Sequence, residues 1–575
     1  METTTAKRTN SFVKGTTALL QSLMAEGVDT IFGYPGGTIM PLYDDLYNYT
    51  DKINHILVRH EQGAVHAAEG YARTTGKVGV CMATAGPGAT NFVTGIADAM
   101  MDSTPIVCIT AQVNADKLGT NFFQEADTIS ITLPITKWSY QVTRADEIPE
   151  VVAKAFYIAQ SGKPGPVVIS LTRNAQVEMT NFQYDKEKLI EDIKMKATHA
   201  SEEDINRAAE MINSAKRPLV IAGHGVAIAN AEETLREFCE KGNIPVAATL
   251  MGVSVMNSFH PNYVGSVGMH GNIAPNRMTQ EADVIIAVGM RFSDRVTGET
   301  KGYAPKARII HIEIDQSEIN KNIKSHLPLR GDAGEILEEL NKRVKFVERK
   351  EWFKTAEMLI KEEDKRIFNP KLNSTEEVLM GQVVAKITEI TEGQAIIVTD
   401  VGQNQMFSAR YSKFRQHKSF VTSGGLGTMG FGLPAAVGSK VGNPHRQVVA
   451  ILGDGGFQMN IQELGTIMQS DVDVKIVLLN NSFLGMVRQW QELFFDKRYA
   501  FTHLANPDFQ KVAQAYRIPS AKIERTSEID EQVRKMLSSK GAYFLEVVVK
   551  EDENVFPMIP AGATLDDMIY EKPNK

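Results

Sequence analysis

A chain of 575 residues exceeds what one hydrophobic core organises, so about three domains are expected. Hydrophobic residues make up 43% and charged ones 23%, a globular balance rather than a disordered or fibrous one. Acidic side chains outnumber basic ones by 69 to 62, and a net charge of -7 gives no general attraction to nucleic acid or anionic lipid. Cys81, Cys108 and Cys239 lie far apart without C-x-x-C spacing, which suggests neither a zinc site nor a disulfide framework and fits a reducing, cytoplasmic compartment. The first ten residues are polar. The apolar stretch after them is helical in pattern and far short of the ~20 continuous apolar residues of a membrane span.

Short Val- and Ile-rich runs alternate with longer amphipathic stretches at 78–84, 166–171, 219–223, 284–289, 309–314, 395–399, 448–453, 474–480 and 544–549. This pattern predicts an α/β fold with mainly parallel, buried strands flanked by helices. Polar, helix-prone, Lys- and Glu-rich segments at 181–206 and 343–374 interrupt it. Placing boundaries there gives domains over 1–185, 190–345 and 375–575. No short-period repeat or heptad array is present.

The strongest chemical signal is Gly453-Asp454-Gly455 at the end of one predicted strand, with Asn480-Asn481 at the end of the next. Neighbouring strand ends would present oxygens together: the Asp454 carboxylate, the Asn481 side-chain carbonyl and the Phe483 backbone carbonyl. Such a set suits Mg²⁺ that completes its octahedron with phosphate oxygens. Glycines around the Asp let backbone N–H groups approach a diphosphate, and ligands in open α/β sheets bind beyond these strand ends. Either tripeptide or dipeptide alone would be an ordinary turn.

The stretch from Gly453 to Asn481 resembles the cofactor motif of thiamine-diphosphate enzymes. The segment LLNNSFLGMVRQWQELFFDKRY at 478–499 is similar to the acetohydroxyacid synthase (acetolactate synthase) catalytic large subunits. The similarity runs from about Gly15 to Met568 through PGG, HEQGAVHAAEGYAR, GPGATN, FQEAD, RFSDRVTG and GTMGFGLPAA. It implies a thiamine-diphosphate-binding fold. It also implies Glu61 as the glutamate that hydrogen-bonds the cofactor's aminopyrimidine ring and activates it, in an apolar setting that favours a shared proton. Pro35, Gly36 and Gly37 resemble the loop beside the reacting carbon, where an N–H of Gly37 could stabilise an oxyanion. Asn91, in a predicted turn and helix start at 83–91, and Gln112 are assigned to the cofactor in the same way. Phe123 and Gln124 are assigned to the substrate side, Gln124 with a catalytic role.

In the last domain Gly402 and Gln403 would approach the diphosphate, with Gly453, Asp454, Gly455, Gly456, Asn481, Phe483 and Gly485. Gly427 and Met429 would cradle the pyrimidine, the Met enforcing a bent cofactor. Met486 and Trp490, four apart on one helix face, would border the acceptor site, and a flat indole there favours 2-oxobutyrate over pyruvate by only ~1–3 kcal/mol.

The middle domain's Gly223, Gly225, Thr249, Leu250, Met269, His270, Gly289, Arg291, Asp294, Arg295, Glu313, Ile314 and Asp332 resemble, in that order, an FAD site, with Glu313 near the ribose. FAD would be structural, because the net transfer needs no redox step. Departures from the family pattern are Ala85 for its serine, Ser293 for its more frequent Asp, and ISLTRN at 169–174 for its acidic turn.

The resemblance implies an enzyme that decarboxylates pyruvate on thiamine diphosphate and transfers the hydroxyethyl unit to pyruvate or 2-oxobutyrate, in branched-chain amino acid biosynthesis. It further implies a homodimer or homotetramer whose sites span two chains, and a separate small regulatory subunit. Oxidation or simple decarboxylation on the same cofactor, or a silent binding protein on the same fold, are the competing readings.

Overall fold

The computed structural model describes residues 11–572. It contains three six-stranded sheets in which every neighbouring pair is parallel. The first is built from strands between Thr30–Gly33 and Val167–Thr172, the second from Pro218–Ala222 to Leu327–Arg330, the third from Ile396–Thr399 to Tyr543–Val548. Parallel strands need helical crossovers on both faces, and the buried Val, Ile, Leu and Ala runs of the central strands are what such a sandwich demands. With strands numbered in chain order within each sheet, the first and third sheets both run 2-1-3-4-6-5, and the middle one runs 3-2-1-4-5-6. Each order reverses beside its first strand, and that switch point opens a crevice at the strand C-termini.

The nine runs anticipated from sequence are all strands. Those not anticipated include the two-residue edge strand Phe420–Val421, the edge strand Ser520–Ile523, and the antiparallel pair Ser11–Lys14 with Met179–Phe182.

The first and third domains share one hydrophobic core, which runs from Phe32, Val65 and Phe92 through Phe431 and Ala435 to Ile476 and Phe544. Its axis is the crossing of helix Glu61–Thr75 with helix Gly432–Gly442. Small residues let the two backbones touch: a Cβ on Gly70 would lie 2.0 Å from Ala435 O, and one on Gly438 would lie 1.8 Å from Ala67 O. The middle sheet has a core of its own on one face. Its other face is covered by Trp352 and Ala356 of helix Lys350–Glu363 and by Ile559, Leu565 and Met568 from the last described stretch of chain. The polar segment expected to be a boundary at 343–374 is therefore packed structure: Trp352 Nε1 donates to Pro218 O at 2.8 Å, and Arg349 donates to Ala215 O and Ile212 O. Among the described residues no helix is long and apolar enough to cross a membrane. The three cysteines are buried thiols, Cys81 and Cys108 facing each other on adjacent strands.

Candidate active site

At the third sheet's switch point, strand Val448–Gly453 ends where helix Asp454–Met459 begins. Asp454 is 1% exposed, and its carboxylate accepts from Asn506 Nδ2 at 2.7 Å. The same Asn506 nitrogen donates to Asn480 Oδ1 at 2.9 Å, while Asn506 Oδ1 accepts from Gln458 at 3.0 Å. Burial pushes the Asp454 carboxyl up to about 6 against the pull of these donors. A buried carboxylate whose charge is penalised by desolvation is the donor that a small cation relieves.

Asn481 is buried on the adjoining strand end. Ser482, at φ +55, reverses the chain so that Phe483 N donates back to Asn481 Oδ1 at 3.2 Å. Asn481 Nδ2 faces Gln403 Oε1 at 3.4 Å, and Gln403 Nε2 is held by Gln489 Oε1 at 3.0 Å and Glu553 O at 2.7 Å. A Cβ at Gly485 would sit 2.2 Å from Gln403 Oε1 and 2.7 Å from Asn481 Nδ2, so any side chain there would displace both amides. A small cavity of about 60 Å³ is lined by Gly402, Gln403, Met429, Asp454, its neighbouring glycines 453, 455 and 456, Asn481, Phe483, Gly485 and Met486.

That space adjoins a cavity of about 720 Å³, with Val401, Gly402, Met429, Met486 and Val487 on both walls. The turn at 423–429 and Trp490 line the larger cavity from the third domain. From the middle domain it is lined by Gly225, Thr249, Leu250, Met269, His270, Gly289, Arg291, Asp294, Arg295, Glu313, Ile314 and Asp332. Gly223 lies just behind, pressed against Gly289 O and Met290. The Gly225–Gly289 contact leaves no room for a side chain: a Cβ on Gly225 would meet Gly289 Cα at 2.6 Å. Arg291 carries no hydrogen bond or ion pair among the described residues, a cation facing the cavity without an internal counter-charge. His270 is half-buried, with its Nδ1 enclosed and unpartnered; desolvation, then the charges of Arg410 and Arg295, lower it to about 3. Asp332 also caps helix Ala333–Arg343, accepting from Gly334 N and Glu335 N.

The first sheet's switch point carries the other group. Glu61 opens its helix behind the cap His60, and its carboxylate accepts from Asn91 Nδ2 at 2.9 Å. Glu463 of the third domain fixes this helix start, accepting from Arg59 N at 3.0 Å and His60 N at 3.1 Å. The neighbouring turn has Gly86 at φ +63 and then helix Pro87–Asn91, and a Cβ on Gly88 would lie 3.3 Å from Glu61 Oε1. Beside it Gly36 packs against Thr84, Gly37 faces open space, and Thr38 Oγ1 accepts from Ala85 N at 2.9 Å. Gln124 is at φ +63, its backbone against Gly86, and Phe123 is 81% exposed.

Within one chain, Pro35, Gly36, Gly37, Glu61, Asn91, Phe123 and Gln124 line neither cavity. Gln112 does not line them either. Its amide is spent inside the chain, donating to Ala126 O at 2.7 Å and accepting from Val113 N at 2.9 Å, so it fastens the loop that carries Gln124.

Sequence reasoning missed Asn506, Gln489 and Asp400. Asp400 is buried at the end of the first strand of the third sheet. Its carboxylate gathers the N–H groups of Val401, Gly430 and Gly432, tying the Gly427–Met429 turn to the strand. Its place at a strand end, like that of Asp454, was the signal available. Asn506 and Gln489 gave none, because they act across 52 and 86 positions of sequence.

The family comparisons place this chain, with its duplicate sheets and its buried Asp and Asn at adjacent strand ends, among the thiamine-diphosphate enzymes. Three family descriptions match accordingly: the thiamine pyrophosphate enzyme N-terminal TPP binding domain over 13–131, the central domain over 205–340 and the C-terminal TPP binding domain over 400–547. The chain is 42% identical to the acetolactate synthase isozyme 2 large subunit of Escherichia coli over 558 residues, 97% of this chain and 99% of the relative. It is 41% identical to the acetolactate synthase large subunit of Lactococcus lactis, 96% of each chain being covered. A probable acetolactate synthase large subunit of Methanocaldococcus jannaschii is 42% identical, over 97% of this chain and 95% of that one. The chain belongs to the acetolactate synthase large subunits, enzymes that form acetolactate with thiamine diphosphate.

Proposed function

We propose that this acetolactate synthase assembles each active site from two chains, with Glu61 of one meeting Asp454 and Asn481 of the other. The observation that carries this reading is that Glu61, Asn91 and the loop at 35–37 line neither of the two adjoining cavities of one chain, the smaller of which Asp454 and Asn481 border. Asp454, Asn481 and the Phe483 carbonyl would hold Mg²⁺ against the diphosphate, and the donor chemistry fits a hard cation. The larger cavity would hold FAD: Arg291 is unpaired there, glycines at 225 and 289 allow close backbone approach, and Glu313 closes a strand end.

Bound thiamine diphosphate supplies the electron sink for losing CO₂ from pyruvate. The chain's own residues do the rest. Asn91 orients the Glu61 carboxyl, which holds or moves a proton at its Oε1–Oε2 edge. Asn506 and Gln403 fix the metal-side oxygens. Met486 and Trp490 shape the wall against which the acceptor, pyruvate or 2-oxobutyrate, would pack. Closure by a second chain would exclude water from Gly37 and Phe123, which stand open in one chain. The reading also takes in a separate small regulatory subunit and a cytoplasmic setting.

Mixing chains tests the shared site. An E61Q chain and a D454N chain, each inactive alone, should regain about one quarter of wild-type acetolactate formation when dissociated and reassembled together, because half the dimers are mixed and each has one intact site. No recovery, with mixed dimers demonstrated, would place both groups in one chain's site. Omitting thiamine diphosphate, Mg²⁺ or FAD singly shows which each step needs.

A further inference from the structure

Behind the turn at 423–429 lies a buried charge cluster that the proposed reaction does not use. Helix Glu61–Thr75 contributes His66, Glu69 and Arg73, and helix Val93–Asp102 contributes Asp98 and Asp102, all buried. Three carboxyls thus face one fixed cation. Arg73 Nη2 is committed to Asp102 at 2.7 Å, and lies only within 3.5 Å of Glu69 Oε2. His66 cannot supply a second positive charge: burial, then the charge of Arg73, lower it to about 3. Its Nε2 faces the Gln62 amide nitrogen at 3.3 Å, which leaves its ring proton on Nδ1 to donate to Glu69 Oε1 at 3.0 Å.

Two oxygens remain without a hydrogen bond, Glu69 Oε2 and Asp98 Oδ2, both fully buried. The carboxyls of Glu69 and Asp98 and a ring nitrogen of His66 have atoms within 4.8 Å of one another. One proton between the two carboxyls gives both orphans a partner and removes one of three negative charges from a dry site. Burial and the charge of Asp98 raise Glu69 well above the usual carboxyl range. Asp98, raised to about 6 by burial and by Asp102, is drawn back by Arg73, Ser423 and Thr428. Because Asp98 Oδ1 already accepts from two hydroxyls, Asp98 is the better-supported anion and Glu69 the place for the proton.

The anionic side of this pair faces the turn. Asp98 Oδ1 accepts from Ser423 Oγ and from Thr428 Oγ1 at 3.0 Å, and Ser423 Oγ accepts from Thr428 N at 2.8 Å. Asp102 accepts from Gly424 N at 2.8 Å and Gly425 N at 2.6 Å, and Arg73 donates to Thr422 O. The first domain thus supplies the carboxylates of Asp98 and Asp102 to the turn, alongside Gln405 and Asp400 of the third domain. We propose that Glu69, as a neutral acid, shares its proton with Asp98, and that this pair together with Arg73–Asp102 positions the 423–429 turn against the cofactor cavity. Glu69 and Asp98 are positioning residues. The role given to the turn rests on reading that cavity as the cofactor site; the shared proton does not.

The test is E69Q, whose amide reproduces the neutral acid: an oxygen for His66 and an N–H for Asp98. In the full-length protein, infrared difference between wild type and E69Q should show a protonated-carboxyl C=O band in the wild type only. Its absence overturns the proposal, as does one equivalent of divalent ion retained by wild type and lost by E69Q, since that ion would replace the proton. In activity, E69Q should fall less than threefold at neutral pH, while E69A raises the KM for thiamine diphosphate tenfold or more. Equal damage by both would mean that an ionised Glu69 is needed, and overturns it.

The pH profile gives a third readout. The titratable groups facing Glu69 are His66 and Arg73 on its own helix, Asp98 and Asp102 on the next, and Cys81 on the strand below. A carboxyl raised by folding contributes stability that is full at low pH and lost as pH rises through its folded value, so the alkaline decline of the melting temperature should be shallower in E69Q. A band present in a protein that makes no acetolactate would sink the functional reading alone.

Discussion

The first and third domains have the same strand order, and each carries its chemistry at the same switch point, yet they present it oppositely. In the third domain Asp454 and Asn481 are sealed behind Asn506, Gln403 and Gln489, and burial works on the Asp454 charge. In the first, Glu61 is half-buried, Gly37 faces open space and Phe123 is 81% exposed. The difference teaches that a shared topology fixes where a ligand binds and leaves open whether one chain can enclose it. The third domain encloses its site within one chain, whereas the first leaves Gly37 and Phe123 open.

That contrast can be broken at three places. The largest effect is expected from Glu61→Gln: kcat should fall by ~10²–10⁴ with thiamine diphosphate affinity retained, because the metal half-site is untouched. A parallel loss of cofactor affinity, measured by quenching of intrinsic fluorescence, would deny the division between a proton half and a metal half. Next comes Asn506→Ala, which leaves the Asp454 carboxylate unsupported. Mg²⁺ affinity should weaken by ~10–100-fold, as for other groups that orient metal ligands, with kcat at saturating Mg²⁺ nearly restored. An unchanged Mg²⁺ titration would remove Asn506 from the site. The smallest is Trp490→Leu, which should change the ratio of acetohydroxybutyrate to acetolactate formed from mixed substrates by ~10-fold, the scale of one methylene contact. An unaltered ratio would move the acceptor elsewhere.

Much of this was legible before any coordinates. Gly453-Asp454-Gly455 and Asn480-Asn481 stand out because strands buried on both faces are unbroken apolar runs, so a polar group at their ends is conspicuous. The same logic would have flagged Asp400. Domain-edge strands such as Phe420–Val421 escaped because two residues carry no periodicity. The segment at 343–374 reads as a domain boundary by its charge, yet the helix Lys350–Glu363 also carries Trp352, Ala356 and Leu359, which pack on the middle sheet. Glu69 and Arg73 were visible only as polar residues on a helix, and Asp98 and Asp102 drew no notice. Their meaning depends on which four side chains meet, and no spacing in the chain encodes that. The Glu61 group lies beyond either cavity of one chain, and a complement in a second chain, as proposed above, would leave no trace in the spacing of one sequence.

The contact of Gly70 with Ala435 and of Gly438 with Ala67 has a further consequence. Two stretches of sequence separated by an entire domain melt and form together, because neither half of their common interior can be exposed without exposing the other. The chain's two outer parts thus share one interior, and the part inserted between them has an interior of its own on one face of its sheet while the C-terminal stretch covers the other.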